Sequence, residues 1–468
     1  MWIKTCVICL VLLSIIGLAV TCSASFTLED EKRLGKEFYD KLKKRDIFLD
    51  DPRVSDYISH LGQSLLEHDR DSYPLDFTFS VIKDSGINAF ATPGGYVYIY
   101  SGLIGITENE SQLAGVLSHE IAHVSARHVA QMIERSKKIN VATLAAILAG
   151  AFLGGSADAT AAVTSFSLAT ATSLNLKYSR EFEEEADRMG MSYLVDAGYD
   201  GKGMFDFLKI MRQYEFYSNS VPSYFLTHPG TSDRIAYIDG LLHVRHYHGG
   251  AQTIINSYER IKTILFLADD RNLDTKLNTL QSTLTDHPDD AETLYRLAVV
   301  LKKLGRAAES VQYFTRALKL SPGDADILRD LGITYFGMGN IADAIDALRG
   351  AYLINGDDLD TILYLGRSYE VAQNFAPALD LYIEYNRRNP DNIDFYHKLA
   401  MMYGKLGKLA ESHYHFGLFF KKKNKPESAL FHFKAALRYT SEGSAMARDI
   451  KREMDTVEGK APTPKSHR

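Results

Sequence analysis

The sequence predicts a mainly α-helical protein with two parts, a helical domain that contains a small β-sheet and an α-solenoid of repeats that follows it. Three patterns predict this fold: a His-Glu-Ile-Ala-His motif within a helical pattern, two short runs of strand-forming residues before it, and a 34-residue period in the second half. With 468 residues and 46% hydrophobic content, the chain is long enough for two to three domains.

The N-terminus has the pattern of a secretory signal peptide. Lys4 precedes an apolar run that ends at Val20, and a small-residue site predicts cleavage after Ala24. The chain's cysteines are Cys6, Cys9 and Cys22. They all fall within residues 1–24, so the mature chain is expected to contain neither disulfides nor thiolate metal ligands. The alternative is a lipid anchor on Cys22, for which the preceding threonine is a poor fit.

The charge of the chain excludes one class of partner. A formal net charge of −6 and a sequence pI near 6.2 provide no basic footprint for nucleic acid.

Two short strands are predicted at the start of the domain assigned to residues 25–250. Phe77, Phe79 and Val81 alternate along one strand, and residues 96–100 form a second strand after a Pro-Gly-Gly turn. The second strand has two readings that we leave open. It is either an exposed edge that pairs with an extended polypeptide, or an internal strand without a role in binding.

A helix with a metal-binding pattern follows the strands. Residues 107–110 read as a capping box, and an apolar stripe follows at helical spacing, made of Leu113, Val116, Leu117, Ile121 and Val124. His119 and His123 share a helix face away from that stripe, where two imidazoles can bind zinc and Glu120 is a candidate general base. The alternative is two surface histidines on an amphipathic helix.

A catalytic zinc needs a third protein ligand, and residues 183–187 are the candidate segment. Glu183 and Asp187 lie one helical turn apart, so that one can bind the metal while the other accepts the spare N–H of a ligating histidine. The residues alone do not decide which carboxylate does which. The alternative is an acidic, solvated helix face.

Between these segments lies an apolar, small-residue insertion at 141–171. Its two halves, 141–154 and 157–171, are both shorter than the roughly 20 residues that span a bilayer. We expect a helical hairpin that either packs on the domain or makes peripheral contact with a membrane surface.

Residues 251–440 are predicted to form tetratricopeptide repeats. Residues separated by 34 positions recur along this stretch: Leu297, Leu331, Leu365 and Leu399, with Tyr335, Tyr369 and Tyr403 and with Pro288, Pro322 and Pro390 on the same register. Small residues at Ala317, Ala344 and Ala378 allow paired helices to pack closely. Residues 253–288 read as a degenerate leading repeat, and 441–468 as a C-terminal helix and tail. The concave face of such a solenoid can hold a partner, although a scaffold without a client is the alternative.

Several motifs together resemble a known enzyme family. The HEIAH motif and the segment from Tyr178 to Asp187 are similar to the zinc metallopeptidases that include CAAX prenyl proteases and periplasmic quality-control proteases. Residues 88–98 resemble the strand next to that family's active-site helix, and Thr227-His228-Pro229 followed by Arg234 resembles its late His-Pro motif. The resemblance covers roughly residues 27 to 245.

The resemblance implies one zinc ion per chain, held by His119, His123 and Glu183, with Asp187 as the partner behind the ligands. His228 and Arg234 carry over as residues of the late motif. Two roles for His228 remain open: it stabilises the oxyanion of the tetrahedral intermediate, alone or together with Arg234, or it caps the metal and keeps the protease idle.

The family also implies a function. We expect a periplasmic zinc endopeptidase, either free or associated with the outer membrane, that degrades misfolded or stalled outer-membrane protein precursors. Its repeat domain would dock on the β-barrel assembly machinery. One alternative is a periplasmic chaperone or assembly factor whose zinc site is structural or latent. Another is a processing peptidase with one defined substrate.

Overall fold

The computed structural model describes residues 26–67, 75–135, 178–217, 222–245, 247, 249–255 and 257–459. The predicted signal peptide, the apolar insertion at 141–171 and the last nine residues of the tail lie outside these residues. The chain divides into two compact units, Met1–Ala268 and Asp269–Arg468. Among the described residues, no helix combines the length and apolar character needed to cross a membrane.

The first unit contains three strands and ten described helices. In chain order they are α1 (Leu28–Lys44), α2 (Pro52–Leu66), β1 (Thr78–Ile82), β2 (Ala89–Thr92), β3 (Tyr96–Tyr100), α3 (Ser101–Ile106), α4 (Glu110–Ser125), α5 (His128–Arg135), α6 (Arg180–Asp196), α7 (Lys202–Tyr217), α8 (Tyr224–Thr227), α9 (Thr231–Arg245) and α10 (Tyr258–Ala268).

The three strands form one sheet in the order β1-β3-β2. β3 pairs in parallel with β1 and antiparallel with β2. The interpretation of residues 96–100 as an exposed edge is therefore wrong, because both edges of that strand are paired. It is the internal strand of the alternative reading, and β2 forms the edge of the sheet that packs toward α4.

Helix α4 begins two residues later than the predicted capping box. Its N-cap is Asn109, whose side chain accepts a hydrogen bond from the backbone N–H of Gln112. The Thr107 hydroxyl instead donates to the carbonyl of Ile104, in the helix before. From Glu110 to Val124 every side chain of α4 is buried, so the helix runs through the core and has no solvated face.

Helices α6 and α7 pack on α4, and small residues set their approach. At Gly190 of α6, an added Cβ would lie 3.0 Å from the backbone of Ser118 and His119. The two backbones are thus in direct contact at the level of the HEIAH motif.

The first unit extends beyond the expected boundary at residue 250. The carboxylate of Glu110 accepts hydrogen bonds from the backbone N–H groups of Ile254 and Ile255, at 2.8 and 2.9 Å. The Tyr258 hydroxyl of α10 donates to the carbonyl of Thr107. These contacts attach residues 251–268 to the first unit, and the expected degenerate repeat at 253–288 is accordingly divided between the units.

The described part of the second unit contains eleven helices, and each packs against the next along the chain. They are α11 (Leu273–Asp286), α12 (Ala291–Lys303), α13 (Ala307–Leu320), α14 (Ala325–Met338), α15 (Ile341–Ile354), α16 (Leu359–Val371), α17 (Phe375–Arg388), α18 (Ile393–Lys405), α19 (Leu409–Lys422), α20 (Pro426–Arg438) and α21 (Ala445–Val457).

The 34-residue period has a visible structural cause at the helix starts. Asp290, Asp324 and Asp358 cap successive repeats, each accepting a hydrogen bond from the backbone N–H three residues later. Within each pair, small residues permit close packing, as at Gly366, where an added Cβ would lie 2.7 Å from the Tyr382 ring. The predicted fold class, a mainly helical chain with a small sheet and C-terminal repeats, is confirmed.

Candidate metal centre

Helix α4 brings the three polar residues of the HEIAH motif into the core of the first unit. His119, Glu120 and His123 are each at most 1% exposed. The i, i+4 spacing places the Nε2 atoms of the two imidazoles 3.0 Å apart, so that both nitrogens face the same point.

Helix α6 supplies the carboxylates. Ser179 caps its first turn by accepting a hydrogen bond from the N–H of Phe182. Glu183, in that turn, approaches the Nε2 atoms of both His119 and His123 to 3.5 Å. The structure therefore brings the distant Glu183 beside the histidine pair, as the resemblance implied.

The late motif closes the cluster. His228 is fully buried, and its Nδ1 lies 3.1 Å from Glu183 Oε1 and 3.3 Å from His119 Nε2. The ring of Tyr224 stacks on His228 with centroids 4.5 Å apart, and this contact fixes the plane of the imidazole.

Four buried groups thus converge: His119, His123, Glu183 and His228 each offer one donor atom, and these atoms lie within 4.8 Å of one another. A tetrahedral zinc ion about 2.1 Å from each donor requires donors about 3.4 Å apart, which is close to the measured separations. Imidazole nitrogen and carboxylate oxygen are donors that zinc accepts readily. The residues present therefore fit a metal ion.

Asp187 and Arg234 lie directly behind the donors. Asp187 Oδ1 is 2.9 Å from His119 Nδ1, which orients the opposite nitrogen, Nε2, toward the cluster. Arg234 donates to both oxygens of Asp187, at 2.8 and 2.6 Å, and its Nη1 is 2.8 Å from Glu183 Oε2. Burial would raise the pKa of Glu183, but Arg234 and the neighbouring histidines together more than offset this effect and hold that pKa well below its usual range.

Glu120 differs from the other carboxylates of the centre. It is fully buried, and neither of its oxygens has a hydrogen-bond partner among the described residues. Its Oε1 lies 3.4 Å from His228 Nε2. Burial raises the pKa of Glu120, which makes it a stronger base than an exposed glutamate.

Sequence reasoning missed two groups that touch the centre. His128 Nδ1 lies 2.8 Å from His123 Nδ1, and the Tyr178 ring stacks on His123 with centroids 3.9 Å apart. A third histidine only five residues after His123 is the signal that was available in the sequence. Tyr178 was part of the motif that carried the resemblance, but its stacking depends on the tertiary fold.

Two family models match the chain. Residues 52–242 match peptidase family M48, and residues 289–352 match the tetratricopeptide repeat. The resemblance drawn from the motifs is thereby confirmed.

Several curated proteins are similar to the first half of the chain. A putative beta-barrel assembly-enhancing protease of Vibrio cholerae is 36% identical over 220 residues, which cover 47% of this chain and 45% of that protein. The beta-barrel assembly-enhancing protease of Escherichia coli K12 is 32% identical over the same shares. The mitochondrial metalloendopeptidase OMA1 of Schizosaccharomyces pombe is 31% identical over 165 residues, or 35% of this chain and 46% of that protein. The match spans about half the length of these relatives.

Solved structures are similar to part of the chain. A crystal structure of MamA is 21% identical and covers 38% of this chain and 99% of its own, with a TM-score of 0.31.

Proposed function

Because the chain contains a peptidase family M48 domain followed by tetratricopeptide repeats, we propose that it is a zinc-dependent endopeptidase. One observation carries the proposal. Three donors on two helices, His119, His123 and Glu183, converge beside a buried glutamate, Glu120, whose oxygens have no hydrogen-bond partner among the described residues. Such a carboxylate is costly to bury, and a role as general base explains why it is there.

The chain's own residues divide the chemistry between them. A bound zinc ion supplies Lewis-acid chemistry, which acidifies water and polarises a peptide carbonyl. Glu120 takes a proton from the attacking water and returns it to the leaving amine. Asp187 and Arg234 hold His119 and Glu183 in place, and His228 lies where it can either donate to an oxyanion or serve as a fourth donor.

The cellular role is proposed from the relatives and the repeats. Two relatives are named beta-barrel assembly-enhancing proteases, and we propose that this protein likewise acts in the cell envelope, in the periplasm, on misfolded or stalled outer-membrane protein precursors. Repeats of this kind form surfaces that bind other proteins, which supports docking of substrates or of the β-barrel assembly machinery.

The first test replaces the proposed base. Glu120→Gln should lower cleavage of casein by about 10²- to 10⁴-fold, because it removes the proton acceptor and keeps the side-chain volume. Zinc content, measured by mass spectrometry of the metal, should stay at one ion per chain. Glu184→Gln, which changes an exposed glutamate on α6, is the matched control and should cleave at the wild-type rate. Cleavage by Glu120→Gln at the rate of the control would refute the proposal.

A second candidate function is supported by the fourth donor. Closed, four-ligand zinc sites are typical of structural metals, whereas catalytic sites keep a position open for water. His228 supplies such a fourth donor at 3.1 Å from Glu183, which favours either a latent protease or a chaperone with a structural zinc.

His228→Ala distinguishes these readings in the same assay. If His228 caps the metal of a latent protease, casein cleavage should rise several-fold, since a position opens for water. Loss of cleavage with zinc retained would assign His228 to the oxyanion, and loss of zinc from a chain that never cleaves casein would favour the chaperone. His243→Ala, which changes an exposed histidine of α9, is the control and should behave as wild type.

A further inference from the structure

We propose that His128 and Glu185 form a hydrogen-bonded relay that fixes the orientation and tautomer of His123. His128 would be a positioning residue that raises the affinity of the centre for zinc. The inference rests on the proposed zinc site and adds two residues to it. It starts from a chain of contacts: His123 Nδ1 lies 2.8 Å from His128 Nδ1, and His128 Nε2 lies 3.2 Å from Glu185 Oε2.

The two contacts determine which ring nitrogen of each histidine carries the proton. His123 directs Nε2 toward Glu183 and His119, so a neutral, metal-binding His123 carries its proton on Nδ1. That N–H can donate only if His128 Nδ1 is an acceptor, which places the proton of His128 on Nε2. The His128 Nε2–H then donates to the Glu185 carboxylate. Every donor in the relay meets an acceptor.

The local backbone and packing hold His128 in this position. Helix α4 ends at Ser125, and Arg127 adopts a left-handed conformation with φ of 56° that turns the chain into α5, whose first residue is His128. Arg127 Nε donates to the buried carboxylate of Glu31, at 2.6 Å. The His128 ring is fully buried and stacks on Phe182 with centroids 4.3 Å apart.

The relay means that the two histidines of the motif are held in place by different kinds of partner. His119 is held by Asp187, a buried carboxylate that Arg234 pairs. His123 is held by an imidazole whose own partner, Glu185, has a side chain 43% exposed. One ligand is therefore fixed entirely within the core, whereas the other connects through His128 to a carboxylate at the surface.

The experiment measures zinc affinity and needs no protease activity. Glu120→Gln serves as the parent so that self-cleavage cannot interfere, and the zinc dissociation constant is measured by competition with a chromophoric chelator. His128→Phe keeps the ring stacked on Phe182 but removes the acceptor. His128→Asn is smaller yet places an amide oxygen near the position of Nδ1. Glu185→Gln removes the charge at the end of the relay, with Glu184→Gln as its control.

The expected results follow from the loss of a partner behind a ligand, which typically costs about 10- to 100-fold in metal affinity. His128→Phe should weaken zinc binding within that range, His128→Asn should restore it to within about threefold of the parent, and Glu185→Gln should weaken it less than His128→Phe. Cobalt-substituted His128→Phe should also show a shifted visible absorption band, since the geometry at the metal changes.

Three outcomes would overturn the inference. An unchanged zinc dissociation constant in His128→Phe would do so, and so would equal losses in His128→Phe and His128→Asn, which would assign the effect to ring packing. If His128→Phe fails to fold by circular dichroism, Glu185→Gln decides, and binding equal to Glu184→Gln overturns the relay. A parent that binds no zinc would instead refute the proposed function, so the two failures are distinguishable.

Discussion

Two glutamates of helix α4 are buried in opposite ways. Glu110 in the first turn and Glu120 in the HEIAH motif are both fully buried. Glu110 accepts hydrogen bonds from the hydroxyls of Tyr57 and Tyr199 at 2.9 and 2.7 Å and from two backbone N–H groups near residue 254. Among the described residues, the oxygens of Glu120 have no hydrogen-bond partner.

The contrast shows that burial alone does not mark a functional carboxylate. At Glu110 four donors and the N-terminal end of the helix dipole stabilise the charge, so the residue ties the segment near 254 to the core. At Glu120 no hydrogen bond from the described residues offsets the cost of burial, and the residue lies beside four potential metal donors. A buried carboxylate whose oxygens are all hydrogen-bonded stabilises the fold. A buried carboxylate that lacks hydrogen bonds and lies next to a cluster of metal donors is a candidate catalytic residue.

The largest expected effect compares the two glutamates directly. Glu110→Ala should lower the free energy of unfolding by about 3 kcal/mol, because it leaves buried hydroxyl and N–H donors without an acceptor. Glu120→Ala deletes the same atoms from the same helix and should cost less than about 1 kcal/mol, because no hydrogen bond is lost. Urea unfolding followed by circular dichroism measures both.

Glu108→Ala provides the control, since its side chain is exposed beside the start of the same helix. It should change the free energy of unfolding by about 0.5 kcal/mol or less. Equal losses of unfolding free energy in Glu110→Ala and Glu120→Ala would contradict the comparison, since the number of hydrogen-bond donors would then not distinguish the two sites.

A smaller effect is expected at His415 of α19 in the repeat unit, a partly buried residue whose Nδ1 atom is itself buried. Its Nδ1 has no hydrogen-bond partner among the described residues, but no donor cluster surrounds it, and its ring stacks on Tyr403 at 5.1 Å. Burial lowers the pKa of His415 from 6.5 to about 4. We therefore expect that replacing His415 changes the stability of the repeat unit and leaves proteolytic activity unchanged.

The pH dependence follows from that lowered pKa. Between pH 6.5 and 4 the unfolded chain binds a proton at His415 that the folded chain does not, so this stability is present above pH 6.5 and is lost as the pH falls. The free energy of unfolding of the repeat unit should decrease by about 1–2 kcal/mol between pH 7.5 and 5 from this group.

His415→Phe keeps the stacked ring and should remove that part of the pH dependence. Urea unfolding at several pH values measures it. His287→Phe, at an exposed position in the same unit, should retain the wild-type profile. A His415→Phe profile that overlays the wild type would show that the imidazole is solvated in solution.

Local patterns predicted the fold class and the segments that form the centre. The i, i+4 spacing fixes the geometry of His119 and His123 within one helix, so it was available from the sequence alone. The pairing with Glu183 came from a resemblance, because a contact across 60 residues leaves no local periodicity. Those site assignments remain predictions for the variants above.

Other features depend on long-range packing and could not be predicted. The order of strands places residues 96–100 between two partners, and alternation along a strand does not specify its neighbours. The capping box at 107–110 does not form, because the Thr107 hydroxyl donates to the Ile104 carbonyl and lies 2.9 Å from the hydroxyl of Tyr258, 151 residues away. The contact between His128 and His123 could not be predicted either, because it depends on the turn at Arg127 that brings the two rings together.

The contact at Gly190 has a consequence for how finely the metal donors are spaced. Because the α6 main chain contacts that of α4 at Ser118 and His119, the close packing of these two helices sets the distance between Glu183 and the imidazoles. A single methyl group at that crossing would act as a wedge about two turns from the carboxylate. The spacing of the metal donors therefore depends on the lack of a Cβ atom at Gly190. The helix packing can hold these donors at their positions before a metal ion binds.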